Sequence, residues 1–320
     1  MRSRGRRLPF PCDNRLVSRV LKILILAAAL GAALWVYQPT RTIMLVLAGR
    51  SQGCGWRQAL DSGRQAALQI KTKDRILKQS REVEQDPAGF HLWQTPRGRY
   101  WMPAGSDYVL PWNLAEQERR IYGTGELAVR AGDIVLDCGA NVGVYVREAL
   151  DAGAKLVVAI EPGPENLECL RRNFKTEIAA GRVIVYGKGV WDRDDWLVLN
   201  VDPKNSAADS FVMRPEGSMA GARLPLTTID KLVDELRLER VDYIKMDIEG
   251  AEQKALAGAR RTLQSYHPRL AISAYHRPDD PLRIPEIVHA AWAGYRTVCG
   301  ACSQTAGYTI RPDVLFFLPQ

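Results

Sequence analysis

Acidic residues are nearly absent from residues 1–22, which contain seven Lys or Arg residues and a single Asp. The 320-residue chain has a formal net charge of +8, so this short segment supplies most of the excess positive charge. The remaining residues are close to neutral, whereas a domain that binds nucleic acid carries positive charge on its folded surface. We therefore exclude nucleic acid as a partner and predict a basic N-terminal tail at 1–22.

Cysteine is also scarce. The six residues are too scattered for the disulfide framework of a small secreted domain, so we expect reduced, mostly structural thiols at Cys12, Cys54, Cys138, Cys169, Cys299 and Cys302. Cys299 and Cys302 form a C-x-x-C pair, which could be half of a zinc site or a redox pair. Tetrahedral zinc needs two further ligands, and no second pair or nearby His supplies them.

Long apolar runs are absent except for the uncharged segment Ile23–Tyr37. It is short for a membrane span, which needs about 20 residues, and it would also suit a secretory signal or an interfacial helix. No A-x-A cleavage signal closes it, and Trp35 and Tyr37 stand where interfacial aromatic residues occur. We predict an uncleaved membrane anchor at 23–37.

Three further segments follow the anchor. Residues 38–87 are polar with loose helical spacing, and we expect a helical linker. Residues 88–125 contain a hairpin pattern around Pro96-Arg97-Gly98, which predicts a small β-rich cap. From 126 to 320, strand and helix patterns alternate, which predicts an α/β domain with a parallel sheet. We place its strands at 134–139, 156–162, 182–189, 243–250 and 269–276, with a final pair near 295–299 and 314–318.

The turn after the first of these strands marks a ligand crevice. It reads Asp137-Cys138-Gly139-Ala140-Asn141-Val142-Gly143, in which Gly139 and Gly143 allow close approach of the backbone to a ligand. A dinucleotide-binding turn would have the pattern G-x-G-x-x-G, but Asp137 occupies the first glycine position. A carboxylate there would repel phosphate and attract a cationic amine, which suits S-adenosylmethionine.

The second strand ends at Glu161-Pro162, where a carboxylate can accept hydrogen bonds from both ribose hydroxyls of a nucleoside. Glu161 and Asp137 together favour a site for S-adenosylmethionine. Either carboxylate alone would be better explained as a solvated residue at a strand end. The rival function is a nicotinamide-dependent oxidoreductase or epimerase. It is disfavoured because the first glycine and a Tyr-x-x-x-Lys pair are both missing.

Later strands end in residues suited to acid–base chemistry. Asp247 and Glu249 are two apart, so both should point to one side at the functional edge of the sheet. Each of two neighbouring carboxylates disfavours ionisation of the other, so the pKa of one can rise towards that of a general base. Alternatively, the two could share a divalent cation, or one could cap the next helix. His276 closes the following strand, where it is either a general base or a structural residue.

Several motifs together resemble the FkbM family of S-adenosylmethionine-dependent methyltransferases over about 126–319. They are DCGANVG, AIEPGPENLECLRRN, TTIDKL, YIKMDIEGAE, KALAGARRTL and HPRLAISAYH. The resemblance implies a class I methyltransferase sheet of seven strands, mostly parallel, with an antiparallel last hairpin. It also implies cofactor binding by Asp137, Gly139, Ala140, Asn141, Gly143, Glu161 and Pro162, and a D-x-E-G segment at Asp247, Glu249 and Gly250.

The same resemblance implies methyl transfer to a hydroxyl oxygen of a sugar or small metabolite, and we expect O-methylation of a sugar, glycolipid or small metabolite. We assign no metal site, although a cation shared by Asp247 and Glu249 stays open. Asp247, Glu249 and His276 are the expected catalytic residues. A membrane-anchored binding protein without catalysis is the alternative outside enzymes. The basic N-terminus would place the domain outside by the positive-inside rule, but the cofactor is made in the cytosol, and we expect a cytosolic catalytic domain.

Overall fold

The computed structural model describes residues 14–106, 108–202, 205–214, 217–305 and 307–320. Most of the basic tail expected at 1–22, including Cys12, lies outside these residues. The described chain begins with three helices, which are α1 (Asn14–Val36), α2 (Gln38–Leu47) and α3 (Trp56–Gln79).

Helix α1 ends at Val36, one residue before the predicted end of the apolar segment at Tyr37. Pro39 cannot continue a helix because it lacks a backbone N–H, and it occupies the first turn of α2 instead. Within the described residues no single helix is long and apolar enough to cross a membrane. The segment Leu21–Val36 and α2 reach that length only as a pair, bent by 94°. The single spanning anchor expected at 23–37 is therefore not found.

The cap consists of a three-stranded antiparallel sheet followed by one helix. Its elements are β1 (Arg81–Gln85), β2 (Phe90–Thr95), β3 (Gly98–Pro103) and α4 (Val109–Glu118). The hairpin predicted at Gly89–Pro103 is confirmed as β2 and β3. Strand β1 lies inside the segment expected to be a helical linker. All five of its residues are exposed, so no apolar alternation reveals it.

The main domain contains a seven-stranded sheet with helices on both faces. The first half comprises β4 (Ile134–Cys138), α5 (Val144–Asp151), β5 (Leu156–Ile160), α6 (Pro164–Asn173), α7 (Lys175–Ala179), β6 (Val183–Tyr186), β7 (Gly189–Val190), β8 (Asp195–Val201) and β9 (Met219–Thr227). The second half comprises α8 (Ile229–Glu235), β10 (Tyr243–Met246), α9 (Glu252–Ala257), α10 (Arg260–Tyr266), β11 (Arg269–Ser273), α11 (Asp280–Ala291), β12 (Tyr295–Cys299), β13 (Cys302–Gln304), β14 (Ile310–Pro312) and β15 (Val314–Pro319).

The strand order of the large sheet is β12-β15-β11-β10-β4-β5-β6. Strands β11, β10, β4, β5 and β6 run parallel, and β15 is antiparallel to both of its neighbours. This confirms the methyltransferase-like α/β fold. Alternate residues of each central strand face opposite layers of helices, as Leu136 and Val135 do. Both faces are therefore buried, which explains why these strands appear as continuous apolar runs.

One expectation about the cysteines is wrong. Cys54 and Cys302 form a disulfide, whose Cα atoms are 6.4 Å apart although 248 residues separate them in sequence. Helix α3, which begins just after Cys54, packs beside β13, and this brings the two cysteines together. Cys138, Cys169 and Cys299 are the free cysteines of the described chain. The pairing could not be predicted from spacing because it joins the two ends of the chain.

Candidate active site

The turn after β4 is shaped by two glycines with positive φ, Gly139 at +81° and Gly143 at +94°. A Cβ atom on Gly139 would lie 1.8 Å from the backbone oxygen of Asp247. On Gly143 it would lie 2.1 Å from the ring of Phe174. Both glycines are thus required by packing within the fold, and at Gly143 the packing partner is Phe174, at the end of α6. Asn141, between them, also has a positive φ of 49°.

Asp137 has a partner that the sequence analysis did not foresee. Its side chain is fully buried, and Oδ1 lies 3.0 Å from Nζ of Lys245, on β10. Lys245 also donates to the backbone oxygen of Gly139 at 2.9 Å. Burial raises the pKa of Asp137, while Lys245 opposes that rise. The charge of Asp137 is therefore balanced by Lys245 inside the protein. The pair holds the glycine turn in place, because Lys245 also donates to Gly139.

Glu161 lies at the end of β5, where the sequence placed it. Its Oε2 accepts a hydrogen bond from the backbone N–H of Asn141 at 2.9 Å, and its Oε1 accepts one from Gly163 at 2.8 Å. Burial raises the pKa of Glu161, and these backbone bonds lower it. The carboxylate faces a cavity of about 60 Å³, which is also lined by Gly139, Asn141 and Pro162.

Asp247, Glu249 and His276 converge, as predicted. Nε2 of His276 lies 3.5 Å from Oδ1 of Asp247 and 3.4 Å from Oε1 of Glu249. Strand β10 ends at Met246, so the two carboxylates belong to the turn after the strand rather than to the strand itself. Glu249 has a φ of +52° there, a strained conformation for a residue with a side chain.

The imidazole of His276 is held by a residue that the sequence analysis missed. Nδ1 lies 2.8 Å from Oε1 of Glu252, the first residue of α9 and fully buried. Burial would lower the pKa of His276, but the Glu252 and Glu249 carboxylates outweigh it and raise that pKa well above its usual value. Glu252 belongs to the quoted motif YIKMDIEGAE, which was the available signal for it.

Two tyrosines orient Asp247. The hydroxyl of Tyr122 donates to Oδ2 at 2.8 Å, and that of Tyr275 donates to Oδ1 at 3.2 Å. Burial would raise the pKa of Asp247, but His276 and Lys245 more than offset burial and lower it. The pKa of Glu249 is raised by burial. The two carboxylates thus differ in basicity, and Glu249 is the stronger base.

A larger cavity of about 370 Å³ lies between the cap and this cluster. Helix α4 and the residue before it contribute Tyr108, Trp112, Asn113 and Glu116 to one wall. Nε1 of Trp112 donates to Glu116 at 2.9 Å. Burial and the Asp247 carboxylate raise the pKa of Glu116 to about 8. Sequence reasoning missed this wall because nothing in the cap sequence marked it as functional.

The two cavities adjoin one another. Both are lined by the same five residues, Gly139, Asn141, Ala207, Asp247 and Glu249. Ala140 lines the larger cavity, whereas Asp137 and Gly143 line neither of the two. The predicted residues therefore divide into those that line a cavity and those that support the turn from behind.

The mostly parallel seven-stranded sheet, the glycine turn after β4 and the carboxylate after β5 are those of a methyltransferase. Residues 137–297, half of the chain, match the model of the methyltransferase FkbM domain. The chain therefore belongs to the FkbM methyltransferase family. This membership implies a cofactor of the S-adenosylmethionine type and decides against the nicotinamide-dependent alternative.

Two curated proteins illustrate the similarity. Hexuronic acid methyltransferase AglP of Haloferax volcanii is 27% identical over 162 residues, which are 50% of this chain and 62% of that protein. The 2-O-methyltransferase NoeI of Sinorhizobium fredii is 29% identical over 145 residues, which are 41% of this chain and 58% of that protein.

A crystal structure of methyltransferase FkbM from Methylobacillus flagellatus KT is similar with a TM-score of 0.44 and 19% identity. The alignment covers 81% of this chain and 61% of that one. The chain spans less than two thirds of the length of each of these three proteins.

Proposed function

We propose that the chain is an S-adenosylmethionine-dependent O-methyltransferase that acts on a hydroxyl group of a sugar, glycolipid or small metabolite. The observation that carries this proposal is the contact between the two cavities. Glu161 lines only the smaller cavity, whereas Asp247 and Glu249 line both cavities where they meet. A methyl group delivered from the smaller cavity to the larger one would arrive beside the Asp247–Glu249–His276 cluster.

The smaller cavity, of about 60 Å³, would hold only part of an adenosine, but its lining residues have the chemistry of such a site. Val190, Phe211 and Ile248 supply apolar walls, and Glu161 supplies the polar end. Each Glu161 oxygen accepts one backbone hydrogen bond, which leaves lone pairs for ribose hydroxyls. S-adenosylmethionine, when bound, supplies a methyl group on a sulfonium. Gly139, Ala140 and Asn141 surround the region between the cavities, where that methyl would lie.

The larger cavity suits a sugar or another polyhydroxylated acceptor. Tyr108 and Trp112 present exposed aromatic surface to it, and Asn113 and Glu116 add hydrogen-bonding groups. Pockets of this kind combine apolar faces with a few placed polar groups. The printed names of the two curated relatives, a hexuronic acid methyltransferase and a 2-O-methyltransferase, support the same acceptor class.

We assign the Asp247–Glu249–His276 cluster to the acceptor hydroxyl. The acceptor hydroxyl would lie beside Glu249, the more basic carboxylate, which would take up the hydroxyl proton when the oxygen receives the methyl group that the cofactor supplies. Asp247 stays ionised, and His276, which lies 3.5 Å from Asp247 and 3.4 Å from Glu249, keeps both carboxylates beside the acceptor hydroxyl. Most of the acceleration comes from alignment of hydroxyl, methyl and sulfur in two adjoining cavities.

Calorimetry with S-adenosylhomocysteine tests the cofactor half of the proposal. Glu161→Ala should weaken binding by about 1.5 to 3 kcal/mol, the range for a lost charged hydrogen bond. Glu165→Ala is the matched control, since Glu165 is exposed in the first turn of α6 and outside the cavity. Equal affinities in wild type, variant and control would reject this placement.

We also propose that α1 attaches the chain to a membrane, either along its surface or with α2 as a broken span. Leu24, Ile25, Leu26, Leu30 and Trp35 are exposed along α1, and contiguous apolar surface of this kind marks interaction sites. Deletion of residues 1–37 should release the chain from membranes. If the shortened chain still sediments with membranes after a salt wash, attachment lies elsewhere.

The catalytic domain is proposed to lie on the cytosolic face, where the cofactor is made. The Cys54–Cys302 disulfide favours the other side of the membrane instead, because disulfides persist in oxidising compartments. Labelling with a membrane-impermeant amine reagent on intact cells separates the two locations. Labelled lysines of the catalytic domain would contradict the cytosolic proposal.

A further inference from the structure

We propose that Asp247, Glu249 and His276 together bind one divalent transition-metal ion at the edge of the acceptor cavity. This inference deepens the proposed function, and it rests on that function only for what the ion would do. The ligand atoms would be Oδ1 of Asp247, Oε1 of Glu249 and Nε2 of His276, which lie within 4.8 Å of one another.

The spacing of these atoms fits a common coordination shell. Metal–ligand distances of about 2.0 to 2.2 Å place neighbouring ligand atoms roughly 3 to 3.6 Å apart at ordinary coordination angles. Nε2 of His276 is 3.5 Å from the Asp247 oxygen and 3.4 Å from the Glu249 oxygen. Both separations exceed the usual N–H···O hydrogen-bond distance of about 2.7 to 3.2 Å.

His276 provides a second, independent observation. Its side chain is 3% exposed, and Nε2 forms no hydrogen bond of good geometry among the described residues, although Oε1 of Glu249 lies 3.4 Å away. The other ring nitrogen, Nδ1, is held by the buried Glu252 carboxylate. Metal-ligating histidines characteristically donate their second N–H to a carboxylate, which fixes the tautomer and points the free lone pair at the ion. Glu252 and His276 have this arrangement.

The carboxylates are also oriented before any ion binds. Tyr122 and Tyr275 hold Asp247 through hydrogen bonds of 2.8 and 3.2 Å. The backbone oxygen of Glu249 accepts a hydrogen bond from the Ser210 hydroxyl at 2.6 Å. Both carboxylates line the acceptor cavity. Three protein ligands with open positions towards a cavity are the pattern of a catalytic metal site.

The ligand set limits the kind of ion. One imidazole nitrogen with two carboxylate oxygens suits first-row ions such as Mn²⁺ or Zn²⁺ better than Mg²⁺ or Ca²⁺, which prefer oxygen alone. An acceptor hydroxyl bound to the ion would lose its proton more readily. The second oxygen of Glu249 would remain available to receive that proton.

Titration of the full-length, chelator-treated protein with Mn²⁺, followed by electron paramagnetic resonance, tests the site. We expect one bound Mn²⁺ per chain. His276→Ala and Glu249→Gln should abolish this binding, and Glu252→Gln should weaken it by about 10- to 100-fold, the usual effect of a residue that orients a ligand. His289→Ala is the matched control, because His289 contacts Thr297 on the far side of α11 and should leave binding unchanged.

Two further measurements keep the outcomes distinct. Circular dichroism of each variant confirms that it is folded, and a folded His276→Ala protein that binds Mn²⁺ as tightly as wild type overturns the proposal. Zn²⁺ binding is repeated in Cys299→Ser, since Cys54, Cys299 and Cys302 would form another candidate cluster in any protein whose Cys54–Cys302 disulfide is reduced. Loss of all Zn²⁺ in that variant would also overturn the proposal for zinc.

The same samples are titrated with S-adenosylhomocysteine. If the protein binds S-adenosylhomocysteine but does not bind Mn²⁺, the metal site is overturned and the methyltransferase proposal stands. If the protein binds Mn²⁺ but does not bind S-adenosylhomocysteine, the metal site is supported and the proposed function is rejected.

Discussion

At the scale of single residues, three carboxylates near one sheet edge have distinct roles because their partners differ. Asp137 is neutralised by Lys245, Glu161 accepts backbone N–H groups beside a cavity, and Asp247 is held by two tyrosines. All three are acidic residues at or just after strand ends. The sequence placed them at one edge of the sheet, but it could not say which of them would be covered.

The Asp137–Lys245 pair should matter mainly for stability. Lys245→Met leaves a buried carboxylate without its counter-ion, and breaking such a pair typically costs about 3 to 5 kcal/mol. Lys155→Met is the matched control, since Lys155 forms an exposed pair with Glu239 and should cost less than about 1 kcal/mol. Denaturant unfolding measures both. A difference near zero would mean that Asp137 is solvated rather than buried.

Glu116 should give the protein a specific pH dependence. Burial raises the pKa of Glu116 from 4.5 to about 8 in the folded state. Between about pH 4.5 and 8 the folded protein therefore holds a proton that the unfolded chain releases. The free energy of unfolding should decrease as pH rises through this range. Glu116→Gln keeps the neutral form and should flatten that decline.

The comparison needs unfolding free energies at pH 6 and pH 9 for wild type and Glu116→Gln. Glu118→Gln, an exposed residue on the same helix, is the control and should follow wild type. If Glu116→Gln loses as much stability between the two pH values as wild type does, Glu116 is ionised in the folded protein.

At the scale of elements, burial explains which features the sequence revealed. Buried parallel strands such as β4 and β5 are mostly apolar, with Asp137 as the exception in β4, and their ends were predicted to within two residues. Strand β10 was expected to continue to residue 250, but it ends at Met246 because the turn needs positive φ at Glu249 and Gly250. Strand β9 was missed because its first five residues are exposed.

In the turn after β4, the Gly139 position should not tolerate a side chain. Gly139→Ala adds a positive-φ penalty of about 1 to 2 kcal/mol and a clash with the backbone of Asp247 that costs about 1 to 3 kcal/mol more. Gly132→Ala carries only the first penalty, because Gly132 has a φ of +87° and open space around it. Thermal unfolding of the two variants should differ by the clash alone. Equal losses would show that β10 can move away from the turn.

At the scale of the whole molecule, long-range contacts carry what the sequence did not reveal. Convergence of Asp247, Glu249 and His276 was predictable because adjacent parallel strands end at one edge. The cavity wall on α4 and the Cys54–Cys302 bond depend on segments distant in sequence. No local pattern encodes such contacts, and the family motifs quoted lie outside residues 1–125.

The disulfide should be present in the isolated protein. Digestion under non-reducing conditions should yield a peptide pair that joins Cys54 to Cys302, and reduction should separate it. Sγ of Cys299 lies 3.6 Å from Sγ of Cys302, so Cys54→Ser should shift the bond to Cys299–Cys302. Recovery of the Cys299–Cys302 bond in the wild-type protein would contradict the pairing.

The most direct test of the central claim is to follow a labelled methyl group. The full-length protein is incubated with S-adenosylmethionine that has a deuterated methyl group, together with sugar and glycolipid extracts, and labelled products are located by tandem mass spectrometry. The account predicts a labelled methyl ether on a hydroxyl oxygen, which is lost in the Glu161→Ala protein and retained in Glu165→Ala. A label on nitrogen or carbon, or no labelled product from a protein that binds S-adenosylhomocysteine, would contradict it.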